Sequence, residues 1–139
     1  MFELHPQLTK DTHALGRFTL CRVLLMNDSQ YPWFILVPER DNIREVHELG
    51  DADRQQLWEE SVQLSRALTE LFKPDKLNIA VLGNQVPQLH VHHLVRYTHD
   101  PAWPAPVWGK LPPKPYYSAE VYKLKSLLIK KMQNMLLTD

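Results

Sequence analysis

Cysteine is nearly absent: Cys21 is the only one in 139 residues, so no disulfide can form within the chain. A disulfide-stapled scaffold is thereby excluded, and the hydrophobic run around Cys21 reads as core rather than as a reactive thiol. Net charge is also missing. Lys and Arg total 16 and Asp and Glu total 16, which removes the clustered basic surface that sequence-independent nucleic-acid binding requires. No apolar run reaches the length of a membrane span. The opening stretch MFELHPQLTK has neither a hydrophobic signal core nor a cleavage pattern, so a cytoplasmic location is expected, with no membrane partner. The Walker and Rossmann glycine patterns are absent too, which removes two common ways of holding a nucleotide. There is no internal repeat and no low-complexity tract.

What remains is ordinary globular material, 44% hydrophobic and 23% charged. It is enough for one domain over 1–139 to bury a core without metal or disulfide. Residues 1–16 show no firm period. Arg17 to Met26 (RFTLCRVLLM) reads as a strand, Asn27 to Gln30 as a polar turn, and Tyr31 to Val37 as a second strand stopped by Pro38, together an antiparallel hairpin. Residues 39–50 read as a loop with a short helical turn. Asp51 is expected to cap a long helix, along which Leu57, Leu64, Leu68 and Leu71 share one side with Trp58, Val62 and Phe72 alongside. Pro74 prevents its continuation. Leu77 to Leu82 and Gln88 to Tyr97 read as two further strands joined by Gly83 to Pro87. More than half of the chain's 11 prolines then fall in DPAWPAPVWGKLPPKPYY. That segment cannot be a regular helix, yet Trp103, Val107 and Trp108 argue that it packs on the domain. Ser118 is expected to cap a last helix over 118–137, with Val121, Leu124, Leu128, Met132 and Met135 on one stripe. Helices gathered against one mainly antiparallel sheet make an α+β fold.

Four of the chain's seven histidines lie between residues 90 and 99. If Gln88 onward is extended, Gln88, His90 and His92 share one face, and Leu89, Val91 and His93 the other. A row of three hydrogen-bonding side chains is unusual for a core strand and suits a site built on a rigid element. Two imidazoles in register permit nucleophilic attack on phosphorus by one, with the other assisting the departing oxygen. They also permit metal binding, although that chemistry wants a third ligand and this face offers only Gln88. The remaining alternative is a pair of satisfied interior histidines.

The stretch QLHVHHL, with GNQVP before it and Arg96 after it, resembles the signature of the histidine-triad (HIT) superfamily. The order of hairpin, helix and signature strand is similar over about Arg17 to Arg96, and the proline–tryptophan segment resembles the tail of a bacterial HIT-like branch. The resemblance implies a HIT-like fold and a small nucleotide as partner. It also implies hydrolysis or nucleotidyl transfer at the α-phosphate of a dinucleoside polyphosphate or nucleoside phosphoramidate, and a homodimer. No cofactor and no metal are expected. Matched position by position, His90 is the nucleophile, His92 assists the leaving group and holds phosphate oxygens, and Gln88 replaces the first histidine of the triad. A nucleotide-binding protein with little turnover is the alternative that Gln88 motivates. The residue that relatives place upstream, a histidine after Pro-Gly, is matched by Tyr31-Pro32-Trp33-Phe34, whose aromatics can line a base slot or pack in the core. Asn27 matches a ribose contact. Asn84, Gln85 and Arg96 are the expected phosphate donors, with Arg96 equally able to pair with a carboxylate. His93, where the family has a hydrophobic residue, is expected to be structural.

Overall fold

The computed structural model describes residues 1–133 and Met135. A short helix α1 (Pro6–Asp11) leads into strands β1 (Thr12–Arg17), β2 (Cys21–Met26) and β3 (Trp33–Pro38). Helix α2 (Asp51–Phe72) follows, then β4 (Lys76–Val81), β5 (Val91–Arg96) and helix α3 (Ser118–Lys131). The five strands form one sheet in the order β1-β2-β3-β5-β4, with every neighbouring pair antiparallel. The expected α+β architecture is what the chain adopts.

Alternation along β3 and β5 divides the core between the two faces of the sheet. Phe34, Leu36, Val91 and Val95 pack with Leu57, Leu64 and Leu68 of α2 and with Leu128 and Met132 of the C-terminal region. Trp33, Ile35, Val37 and Leu94 face the other way, onto Leu8 of α1 and onto Ala102 and Val107 of the proline-rich segment. That segment is therefore packed, as its indoles suggested. The sheet is covered on both faces, and the second cover is made of α1 and a proline-bound strap rather than of a long helix.

Several local readings are corrected by the structure. The run from Arg17 to Met26 is not one strand: Arg17 ends β1, and the Phe18 N–H donates to the Cys21 carbonyl at 2.8 Å to close a turn. This turn contains no Gly, Pro or Asn to announce it. Buried Glu60 of α2 replaces that chemistry by accepting from the backbone N–H groups of Leu20 at 2.9 Å and Cys21 at 2.8 Å. Asp51 does not cap α2 through its side chain. Gly50 is the cap residue, while Asp51 and Asp53 supply negative charge in the first turn, where the helix dipole favours it. The helix stops at Phe72 because Lys73 takes the left-handed conformation (φ 49°) just before Pro74. Trp58 and Val62 lie on the exposed side of α2, not in its apolar stripe. Ser118 is the first residue of α3 rather than its cap, and the last helical residue is Lys131. The part of the expected helix at residues 134, 136 and 137 lies outside the described residues.

Candidate functional site

Strand β5 begins at Val91, three residues later than the sequence suggested. Gln88 and His90 therefore belong to the approach to the strand, and the row of three side chains on one face is broken at its first member. Gln88 turns toward the N-terminal segment instead. Its Oε1 accepts from the His5 N–H at 2.8 Å, and its Nε2 donates to the Glu3 carbonyl at 2.9 Å.

The two histidines remain together, with ring centroids 4.8 Å apart and planes 72° apart. Each ring is fixed through Nδ1, but in opposite senses. His90 Nδ1 lies 2.7 Å from the carbonyl of Gln88, so this nitrogen must donate and the lone pair of the neutral ring lies on Nε2. Trp33 Nε1 lies 3.0 Å from His92 Nδ1. An indole N–H can only donate, so His92 Nδ1 must accept and the neutral ring carries its hydrogen on Nε2. The pair thus offers one free acceptor and one free donor side by side. Burial pushes the pKa of both below the ordinary histidine value, His92 to about 3, with the neighbouring histidines His90 and His93 adding to its shift. At neutral pH both rings are uncharged.

Trp33 reaches His92 across the sheet because it pairs in register with Leu94, two residues along β5. Trp108 of the proline-rich strap stands edge-on to both, with its centroid 5.0 Å from His92 and 5.6 Å from Trp33. Trp33, Trp108, His90 and His92 border a cavity of about 340 Å³, along with Asn84, Gln85 and Gln7. A second cavity, of about 350 Å³, shares Asp11, Met26, Trp33 and Trp108 with the first and extends to Asn27 and Pro113. On its other side His90 borders a third cavity of about 350 Å³, which includes Arg44, Gly83 and Asn84. The chain passes close to itself at Gly83, where a Cβ would sit 3.3 Å from the Val86 carbonyl, a tight contact.

Most of the expected site residues converge. His90, His92, Asn84 and Gln85 line one cavity, and Asn27 lines its neighbour while its Oδ1 accepts from the Tyr116 N–H at 2.9 Å. Trp33 lines the site, whereas Phe34 is in the core on the opposite face. Arg96 does not join them. It is 1% exposed, ion-paired with Asp100 at 2.9 Å, and bonded to the Asn78 side chain and the Ala105 carbonyl. A guanidinium so enclosed is committed to tying the strap to the sheet rather than to phosphate. His93 is structural, as expected: Nδ1 meets the Val91 carbonyl at 3.1 Å and Nε2 meets the Ser61 hydroxyl at 2.7 Å, under α2. Cys21 is buried and its thiol pKa is pushed far up, chiefly by burial, which leaves it unreactive. Among the described residues no three His, Cys, Asp or Glu side chains come together as a metal-holding group. No helix among them is long and apolar enough to cross a membrane. Trp108, Met26, Gln7 and Arg44 were not expected from the sequence to line the site. Only Trp108 carried a signal, as one of two indoles in a strap expected to pack.

Comparisons with known proteins agree with this arrangement. The HIT domain model matches residues 7–99. The chain is similar to a histidine triad protein from Marinobacter aquaeolei, with 53% identity, a TM-score of 0.93, and coverage of 96% of this chain and 97% of that one. A histidine triad protein from Bradyrhizobium japonicum shows 46% identity and a TM-score of 0.92 over 94% of this chain and 98% of its own. One from Sinorhizobium meliloti shows 38% identity and a TM-score of 0.93 over 95% and 98%. None of the curated proteins matches the sequence. A domain match covering most of the chain, three near full-length relatives and two paired imidazoles in the signature stretch lead to one conclusion: this chain belongs to the histidine triad (HIT) family.

Proposed function

We propose that this protein hydrolyses or transfers a nucleotidyl group through a covalent nucleotidyl-histidine on His90. The observation that carries the reading is the tautomer pair. His90 has its Nδ1 hydrogen bound to the Gln88 carbonyl and an unbonded Nε2 lone pair at the cavity, which is what in-line attack on an α-phosphorus requires. A P–N bond forms to Nε2 while the bond from phosphorus to the leaving group breaks, and the leaving group departs with the electron pair. Water then attacks the same phosphorus, the P–N bond breaks, and a nucleoside monophosphate is released. His92 offers its Nε2–H to a phosphate oxygen as a neutral hydrogen-bond donor. Protonating it at Nδ1 would cost the bond from Trp33, so this ring stabilises charge rather than delivering a proton. The amides of Asn84 and Gln85 supply further donors, and the Trp33–Trp108–Met26 surface, continuing toward Asn27, suits the base and ribose.

Substrate candidates are dinucleoside polyphosphates and nucleoside phosphoramidates. Labelled substrate of each kind, quenched in the steady state, should leave label on the wild-type chain and none on His90→Ala or His90→Asn. Full turnover by either variant would remove His90 from the mechanism. The diversion of Gln88 from the site and the tryptophan on His92 favour a second reading, tight nucleotide binding with little turnover. A nucleoside monophosphate that binds well, with no hydrolysis across the panel, would select it.

The protein is further proposed to form a homodimer through β4. This strand is at the edge of the sheet, and Ile79 and Val81 are each 44% exposed along it. Ile79 pairs in register with His93, which meets Ser61 of α2, and exposed Trp58 and Val62 flank Ser61 on that helix. An unpaired edge beside an apolar patch suits strand-to-strand pairing with a second copy.

A further inference from the structure

By the sequence resemblance Gln88 takes the place of the signature's first histidine, and its amide hydrogen-bonds to the N-terminal segment rather than to His90 or His92. Both functional atoms of its amide are instead used by the backbone of residues 3–5: Oε1 by the His5 N–H and Nε2 by the Glu3 carbonyl. The backbone carbonyl of the same residue holds His90 Nδ1 at 2.7 Å. One residue therefore joins the N-terminal segment to the nucleophile's ring.

The segment it holds leads directly into the site. His5 caps α1 by accepting from the Gln7 N–H at 3.0 Å, and Gln7, Leu8 and Asp11 of that helix wall the cavity that contains His90 and His92. Other anchors of this segment are apolar or weak: Phe2 lies under the Arg22 guanidinium at 5.0 Å, and Leu4 packs at the margin of the second core cluster. The two hydrogen bonds to Gln88 are the polar attachment between residues 3–5 and the signature stretch, and they span more than 80 positions of sequence.

We propose that Gln88 is a positioning residue, a latch that closes the N-terminal segment over the nucleophile and holds the Gln88 carbonyl in line with His90 Nδ1. The proposal rests on the reading of His90 as the nucleophile and extends it to the residue that departs from the triad. In this role glutamine is a fit replacement because the latch needs one donor and one acceptor on a single planar group and no titrating proton. With the latch closed, His90 is only 5% exposed, and its pKa is held below the ordinary value mainly by burial.

The test uses Gln88→Met, which keeps length and bulk but cannot form either bond, and Gln88→Glu, which keeps the acceptor for His5 and loses the donor to Glu3. Gln88→Met should lower kcat roughly 10- to 100-fold through misalignment of the nucleophile, with Gln88→Glu in between. The acid limb of the Gln88→Met rate profile should move up toward 6.5 as water reaches His90. Nitrogen-15 spectra of its imidazoles should show a mixture of His90 tautomers where the wild type has one, and the His5 amide should exchange faster. A variant with wild-type kcat, acid limb, His90 spectrum and His5 exchange would overturn the latch. If the wild type traps no nucleotide at all, the nucleophile reading fails, while the spectra and amide exchange of Gln88→Met still decide the latch.

Discussion

Lowering the pH from 7 to 5 is expected to remove about 4 kcal/mol of folding stability, chiefly through two histidines. His92 is pushed down to about 3 and His93 to about 4, in both cases first of all by burial. In the unfolded chain each titrates near 6.5. Between that value and the folded one, the unfolded chain takes up protons that the folded chain refuses, so stability falls as pH falls. Each pH unit below 6.5 is worth about 1.4 kcal/mol per group, which gives about 2 kcal/mol per histidine at pH 5. The loss levels off near pH 4 for His93 and near pH 3 for His92. The window from 7 to 5 is chosen because ordinary carboxylates, with pKa values near 4, remain mostly ionised across it. His90 is shifted in the same direction and adds to the trend. Against a total stability of about 5–15 kcal/mol, the effect is large.

Urea unfolding followed by tryptophan fluorescence at pH 7, 6 and 5 reads this directly, as a falling midpoint at a constant denaturant slope. The variant His93→Leu separates the contributions. It leaves the Ser61 hydroxyl without its partner and so is less stable at pH 7, but its loss between pH 6 and 5 should be smaller by about 1.4 kcal/mol. A stability that is flat from pH 7 to 5, or a His93→Leu variant with the full wild-type dependence, would refute the claim that these rings are folded in the neutral state.

Trp33→Phe keeps the aromatic wall and removes the donor to His92 Nδ1, freeing the ring to exchange tautomers; kcat/KM should drop roughly tenfold, about the value of one unmade hydrogen bond. An unchanged rate together with an unchanged His92 nitrogen spectrum would show that Trp33 is only packing. Arg96→Met strands the buried Asp100 carboxylate and should destabilise the fold by about 3–5 kcal/mol in urea titrations, with little change in KM at a temperature where it is folded. A folded Arg96→Met with a KM raised tenfold or more would return Arg96 to the phosphate site. Ile79→Lys puts a charge on the exposed edge of β4 and should give monomers in sedimentation, and a wild-type dimer fraction would place the interface elsewhere.

The elements that were legible in the sequence are those whose cause is local. The apolar period of α2 and the stop at Pro74 need no knowledge of the rest of the chain, and both helix and stop are where the sequence suggested. The hairpin of β2 and β3 is equally local, because Asn27 to Gln30 is turn chemistry between two apolar runs. What stayed hidden depends on partners far away. The turn between β1 and β2 has no turn residue of its own, since Glu60, some 40 positions on, satisfies its N–H groups. Helix α1 lacks a helical period visible in isolation, because only Leu8 of its six residues is buried.

The site divides along the same line. The pairing of His90 with His92 was readable because two residues of near-extended chain bring the rings together whatever surrounds them. Their protonation states were not, because each is set by a group that spacing along the strand does not reveal: a backbone carbonyl at Gln88 and an indole on a neighbouring strand. A residue pattern identifies which side chains can do chemistry, whereas the direction of each hydrogen bond decides which nitrogen is the base and which the donor. The indole at position 33 therefore matters for more than its size. A histidine there could either give or take a proton at His92, but an indole can only give a hydrogen bond. Trp33 on β3 fixes His92 as a donor, and the Gln88 carbonyl leaves His90 with its lone pair on Nε2.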